Sequence, residues 1–230
     1  MLTRKTPRAA RYSQRALAAL LRYPDATLRT ALPEVMQALR DEGAIAGPRL
    51  DEIEALACRL AAGDPYEAEA AYVETFDRSR RSSLHLFEHV HGDSRDRGPA
   101  MTDLLQTYEA AGLFLGEGEL PDFLPVVLEF ASTQPPAVAR EFLGEMVHIL
   151  NAVFSALRER ESAYASVLAA IIELAGGTAA AVPIEADPGL DDAWVEPPAF
   201  DGCSTAGQAR PGTPQPIRIV RKTTSQGAAT

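Results

Sequence analysis

The polar residues able to do chemistry crowd into residues 76–101, FDRSRRSSLHLFEHVHGDSRDRGPAM, which hold three of the chain's four histidines. His85, Glu88 and His89 follow the H-x-x-E-H spacing of one class of zinc peptidase. On a helix, two imidazoles at i and i+4 project from adjacent turns and can share a zinc ion, with the glutamate beside them as a base. A catalytic zinc also needs a third protein ligand and a substrate cleft, and a five-residue pattern arises readily in any helix bearing histidines. A surface histidine cluster is the competing reading. His91 suits a helix C-terminus, where an imidazolium meets the negative end of the dipole. His148 stands alone within an apolar stripe.

Those residues need helices to position them. Residues 83–91 read as a short amphipathic helix, with His85, Glu88 and His89 on one side and Leu86, Phe87 and Val90 on the other. Gly92 closes it, the charged turn Asp93-Ser94-Arg95-Asp96-Arg97 follows, and a second helix over 98–111 stops at Gly112. Upstream, Asp64-Pro65 opens a helix to about Asp77 on which Tyr72 and Phe76 share a face. Further towards the N-terminus, Ser13 is expected to cap a helix ending before Pro24, and Asp25 to cap the next segment. Pro33 suits the first turn of a helix over 34–40 that ends at Gly43. Downstream, Val138, Phe142, Met146, Ile149, Val153 and Leu157 step by three and four, the stripe of one long helix after Pro135-Pro136. Residues 164–174 are apolar nearly all round and should form a buried central helix. No run before residue 180 alternates as a strand does, and no repeat is visible, so the expected fold is all-α.

Composition bounds the function. The 230 residues, 46% hydrophobic and 23% charged with mean hydropathy near zero, suit a globular chain with a sizeable core. Net charge is −10, and it is uneven. Residues 1–22 carry six basic residues and no acid, whereas residues 23–175 carry 12 basic against 26 acidic residues, a balance of −14. Such a body repels polyphosphate, so nucleic acid is excluded as a partner, while cationic partners are favoured. Its bland alternative is an acidic surface that serves solubility. Two cysteines 145 positions apart, Cys58 in an apolar helical stretch and Cys203 in the tail, indicate neither a disulfide framework nor a cysteine zinc site. The apolar run after the basic start is too short for a signal peptide, although an Arg-rich, acid-poor start also fits a transit peptide. The stretch 163–175 is too short to span a bilayer, so a cytoplasmic protein that is not integral to the membrane is expected. Residues 183–216 hold seven prolines and four glycines, the profile of an irregular tail, with Trp194 placed to pin part of it to the body and 217–222 able to add one short strand. The expected organisation is a basic flexible N-terminus over 1–12, an all-helical domain over 13–175 and a Pro/Gly-rich tail over 176–230.

The block YVETFDRSRRSSLHLFEHVHGDSRDRGPAMTDLLQTYEAAGL, residues 72–113, resembles the signature stretch of the NarJ subgroup of redox-enzyme maturation chaperones, the delta chain of respiratory nitrate reductase. LLRYPD at 20–25 and ELPDFLPVVLEF at 119–130 resemble the same family, and the likeness spans about residues 13–175. It implies a compact helical bundle without enzymatic activity and without a tightly bound cofactor. Such a chaperone binds the N-terminal segment of the nitrate reductase catalytic (alpha) subunit while molybdenum bis-guanine-dinucleotide is inserted, before membrane attachment. In that family the client segment is bound as a helix in an apolar groove. Tyr72, Phe76, Phe87 and Leu104 are candidate anchors. His85, Glu88, His89, His91, Asp93, Arg95, Asp96 and Arg97 are candidates for the polar rim. For the aromatics the alternative is core packing, and for the 93–97 charges a self-satisfied turn. A helical segment burying about 500 Å² of apolar surface gains about 12 kcal/mol gross. Ordering and association costs leave roughly micromolar to tens-of-nanomolar affinity. Charge reversal at Asp93 or Asp96 is expected to weaken that binding without changing helix content. Stoichiometric zinc lost in His85→Ala would favour a hydrolase instead, and lipid affinity lost with the first dozen residues would favour a membrane-associating module.

Overall fold

Prolines and short polar side chains set where the helices begin. The computed structural model describes residues 9–183 except Asp93, all within one compact unit. In chain order the helices are α1 (Arg11–Leu20), α2 (Ala26–Glu42), α3 (Pro48–Ala62), α4 (Pro65–Phe76), α5 (Leu86–Val90), α6 (Arg97–Ala110), α7 (Leu124–Thr133), α8 (Pro136–Glu145), α9 (Val147–Glu159) and α10 (Ala165–Leu174). A 3-10 turn, Arg80–Ser82, lies between α4 and α5. Among the described residues there is no strand, only one isolated antiparallel bridge between His85 and Phe123. The fold is all-helical, as the periodicities require.

Helix α10 is central: Val167, Leu168, Ala169, Ala170, Ile171 and Ile172 expose no surface. It packs on α9, α3 and α1, while α1 lies along α7 and against α2. A second, smaller apolar cluster joins Leu104 and Tyr108 of α6 to Val126 and Phe130 of α7. No helix among the described residues is long and apolar enough to cross a membrane.

Several caps behave as the side chains dictate. The Asp25 carboxylate accepts from the Leu28 N–H at 2.8 Å, and Gly43 takes φ 59° just past α2, a left-handed conformation that glycine adopts without a Cβ penalty. Asp25→Ala is expected to cost about 1 kcal/mol, read as a shift in the urea midpoint with unchanged m-value.

Other expectations need correction. Ser13 does not cap α1; it lies inside the helix, fully buried. The cap comes from the far end of α2, where the Glu42 carboxylate accepts from the Tyr12 N–H at 3.0 Å and the Ser13 N–H at 2.7 Å. Pro33 sits within α2 instead of starting a new helix. Leu28, Leu32, Met36 and Leu39 form one buried stripe across it, and that burial outweighs the roughly 3 kcal/mol an interior proline costs. The long helix after Pro135-Pro136 is two helices, broken at Met146, whose N–H bonds to the Leu143 carbonyl in a 3-10 step. The break moves the buried face of α8 to Ala139 and Leu143, leaving Val138 47% exposed. Cys58 and His148, read as apolar-face residues, are both exposed. After α10 the chain still packs on the body: the Ala180 N–H donates to Asn151 Oδ1 and the Val182 N–H to Ser155 Oγ. The basic start up to residue 8, Trp194, Cys203 and the stretch 217–222 lie outside the described residues.

Candidate functional site

Helix α4 begins where Asp64 accepts from the Tyr66 and Glu67 N–H groups, with Pro65 as its first residue. Its inner face carries Tyr72 and Phe76, and both are buried in the core. Phe76 packs between Tyr72 and Tyr164, with ring centroids 4.8 and 4.9 Å away. The Tyr72 hydroxyl donates to the Leu21 carbonyl at 2.8 Å, and burial pushes the phenols of Tyr72 and Tyr164 well above their usual pKa. Both rings meet Tyr164, the residue that precedes α10.

The outer face of α4 is different. From cap to cap the helix bears Asp64, Glu67, Glu69, Glu74 and Asp77 and no basic residue, with Glu74 paired to Arg78 at 2.9 Å and to Arg160 at 3.4 Å and half-buried Glu69 accepting from the Tyr23 hydroxyl. A groove of about 800 Å³ runs along one side, floored by Leu56, Leu60 and Tyr164 and rimmed by charges of both signs, Glu67 and Glu161 with Arg59 and Arg160. A shallower one of about 570 Å³, lined by Tyr23, Tyr66, Glu69 and Val73, runs along the other. Tyr66 is 80% exposed, an apolar ring held in solvent at the head of this acidic helix. The Tyr164 hydroxyl is buried without a hydrogen bond beneath the larger groove.

Beyond α4 the chain is tied down by backbone pairing. The Ser82 hydroxyl donates to the Thr75 carbonyl, the Leu86 N–H to the Asp122 carbonyl at 3.0 Å, and the Leu124 N–H to the Leu84 carbonyl at 2.9 Å. Asp122 is the hub of this junction and exposes no surface. Its Oδ2 accepts from the Phe87 N–H at 3.1 Å and lies 3.7 Å from an Arg97 guanidinium nitrogen; its Oδ1 lies 3.4 Å from His85 Nδ1. Arg97 also reaches Glu88 at 3.5 Å. Thus His85, Glu88 and Arg97 do come together, around a cleft of about 330 Å³ shared with Asp77, Arg80 and Ser83. Asp122 was not among the residues singled out by sequence, although an acid between Pro121 and an apolar run is out of place for a solvated side chain and signals a buried partner.

The shared imidazole face is not formed. His85 precedes α5 in extended backbone, φ −87° and ψ 100°, so the expected helix over 83–91 begins only at Leu86. Its ring stacks on Phe123 with centroids 5.2 Å apart, while His89 Nε2 turns to the Ser83 carbonyl at 2.9 Å, an oxygen that can only accept. Among the described residues no group of three His, Cys, Asp or Glu side chains could hold a metal ion. Val90, placed on the apolar side by the helical wheel, is 51% exposed.

The remaining candidates are divided. Leu104 is buried in the α6–α7 cluster, against which half-buried Phe87 packs, and the His91 ring meets Phe87 edge-on at 5.7 Å. Arg95 and Asp96 are exposed; the Asp96 N–H donates to Ser94 Oγ, which donates back to the Asp96 carboxylate at 3.2 Å. Asp93 lies outside the described residues.

Known proteins carry the same arrangement of sequence and fold. A family model described as "Nitrate reductase delta subunit" matches residues 25–170. An Escherichia coli (strain K12) protein, "Nitrate reductase molybdenum cofactor assembly chaperone NarJ", is 42% identical over 156 residues, 68% of this chain and 66% of its own length. A Bacillus subtilis (strain 168) protein named "Probable nitrate reductase molybdenum cofactor assembly chaperone NarJ" is 31% identical over 66% of this chain and 82% of its own length. The match therefore spans just under two thirds of the Escherichia coli relative. A solved structure titled "Crystal Structure Of A Putative Redox Enzyme Maturation Protein From Archaeoglobus Fulgidus" shares the fold, with TM-score 0.51 and 19% identity over 75% of this chain and 98% of that one. With the family model covering well over half of the sequence and the helical fold that goes with it, this chain belongs to the nitrate reductase delta subunit family.

Proposed function

We propose that the chain is a cytoplasmic, non-catalytic chaperone that binds the N-terminal segment of a nitrate reductase catalytic subunit while the molybdenum cofactor is inserted. Relatives 42% and 31% identical carry the name of that assembly role. The observation that carries the binding mode is α4: five acids and no base from cap to cap, only Glu74 of them paired to arginines (Arg78 and Arg160), beside two open grooves, one floored with Leu56, Leu60 and Tyr164. A cationic, amphipathic helix complements such a surface, with apolar anchors in the groove and basic residues on the rim. The −14 charge of residues 23–175 then steers the client inward in a salt-dependent way. A zinc-hydrolase role for His85, Glu88 and His89 has lost its geometric basis, since the rings face different partners.

Calorimetric titration of the full chain with a peptide of the client's first 15–30 residues tests this, at low and high salt. Glu67→Lys with Glu74→Lys is expected to weaken binding by roughly three- to tenfold at low ionic strength and less at high, with unchanged circular dichroism. No binding to the wild-type protein would sink the proposal. Full affinity in the double variant but loss in Asp96→Lys would move the site to the α5–α6 turn.

A further inference from the structure

The larger groove beside α4 has a polar feature that a purely apolar client would leave unsatisfied. Its floor includes Tyr164, which is only 6% exposed. Two other tyrosines are as deeply buried, and each donates its hydroxyl to a main-chain carbonyl at 2.8 Å, Tyr72 to Leu21 and Tyr108 to Pro121. The Tyr164 hydroxyl has no partner among the described residues. Three further buried side-chain atoms share that condition, Ser13 Oγ, Arg29 Nη1 and Arg81 Nε, but none belongs to a residue lining the groove. Both arginines are also anchored through another nitrogen, Arg29 to the Gly63 carbonyl at 2.7 Å and Arg81 to Glu159 at 2.6 Å. A buried phenol normally finds a partner, because an unpaired one bears the full cost of its desolvation.

The surroundings of the hydroxyl decide which partner fits. Burial pushes the phenol's pKa up, so the group stays protonated and is able to donate. Arg59 lines the same groove, and its exposed guanidinium makes no hydrogen bond or ion pair among the described residues. Its charge lies close enough to draw the phenol's pKa the other way, by less than burial raises it. A cationic donor approaching the hydroxyl is therefore opposed, and an acceptor oxygen is favoured. Leu56 and Leu60 make the rest of the floor apolar. In such a setting one hydrogen bond discriminates strongly, because a client lacking the acceptor leaves the hydroxyl unpaired.

We propose, resting on the chaperone reading of this groove, that Tyr164 donates a hydrogen bond to a side-chain acceptor oxygen of the client segment, so that the helix selected carries one polar residue among its apolar anchors. Tyr164→Phe keeps the ring and removes only the hydroxyl. With the client's N-terminal peptide titrated calorimetrically into the full chain, binding should weaken about three- to tenfold in this variant. The urea midpoint of the free variant should equal or exceed that of the wild type, since an unpaired group has been removed. Unchanged affinity in Tyr164→Phe would overturn the proposal and leave the chaperone reading standing, whereas no binding to the wild type would overturn both. A lower urea midpoint would also overturn it, because the hydroxyl would then have a partner in the free protein. Arg59→Gln separates two sources of the oxygen: weakening that fades at high salt assigns a carboxylate, and equal or tighter binding assigns an uncharged amide or hydroxyl.

Discussion

Asp122→Ala is expected to lower the unfolding free energy by about 3 kcal/mol or more. The carboxylate is fully buried and has three dependants: the Phe87 N–H, the Arg97 guanidinium and the His85 ring. Removing it leaves the Phe87 N–H without its acceptor and half-buried Arg97 with Glu88 as its one remaining carboxylate, in a region shielded from water, and an unsatisfied group costs more than a hydrogen bond contributes. Urea denaturation should show the loss in the midpoint, and hydrogen exchange should show the earliest opening at residues 84–91. Asp122→Asn keeps an acceptor for Phe87 but no charge for Arg97, so a smaller loss, on the order of 1–2 kcal/mol, is expected. Equal stability of Asp122→Ala and the wild type would mean that the segment is held by packing on Phe123 alone.

Leu168→Ala should destabilise by about 3–5 kcal/mol. Leu168 exposes no surface, and its neighbours along α10, Val167 and Ala169 to Ile172, are equally enclosed. With α9, α3 and α1 packed around this helix, no wall is free to collapse into the space left behind. The cost therefore includes both the lost transfer energy and a cavity. Thermal unfolding checks it, and a loss under about 1 kcal/mol would show that α10 is less enclosed than its burial indicates.

Reading the sequence recovered the helical class, the caps at Asp25 and Asp64, the stops at Gly43, Gly92 and Gly112, and the buried character of residues 164–174. Each of these depends on interactions within a few residues: a side chain accepting the next turn's N–H, a missing Cβ, an unbroken apolar surface. The same logic failed where a distant residue decided. Ser13 looks like a cap, but Glu42, 29 positions away, holds the α1 N-terminus. Pro33 looks like a helix start, but burial of Leu28 and Leu32 before it carries α2 through. The histidine pattern looks like a metal face only if His85 is helical, and pairing of residues 84–86 with 122–124 pulls it out of the helix.

For the candidate site the division falls the same way. Residue types and order by themselves determined an acidic, all-helical chain, because charge and periodicity are properties of local sequence. Only the tertiary structure decided which aromatics are core, that Asp122 joins His85 to Arg97, and that α4 lies between two grooves. A helix has one buried stripe, and which residues fall on it is set by the partner it packs against, not by the helix itself.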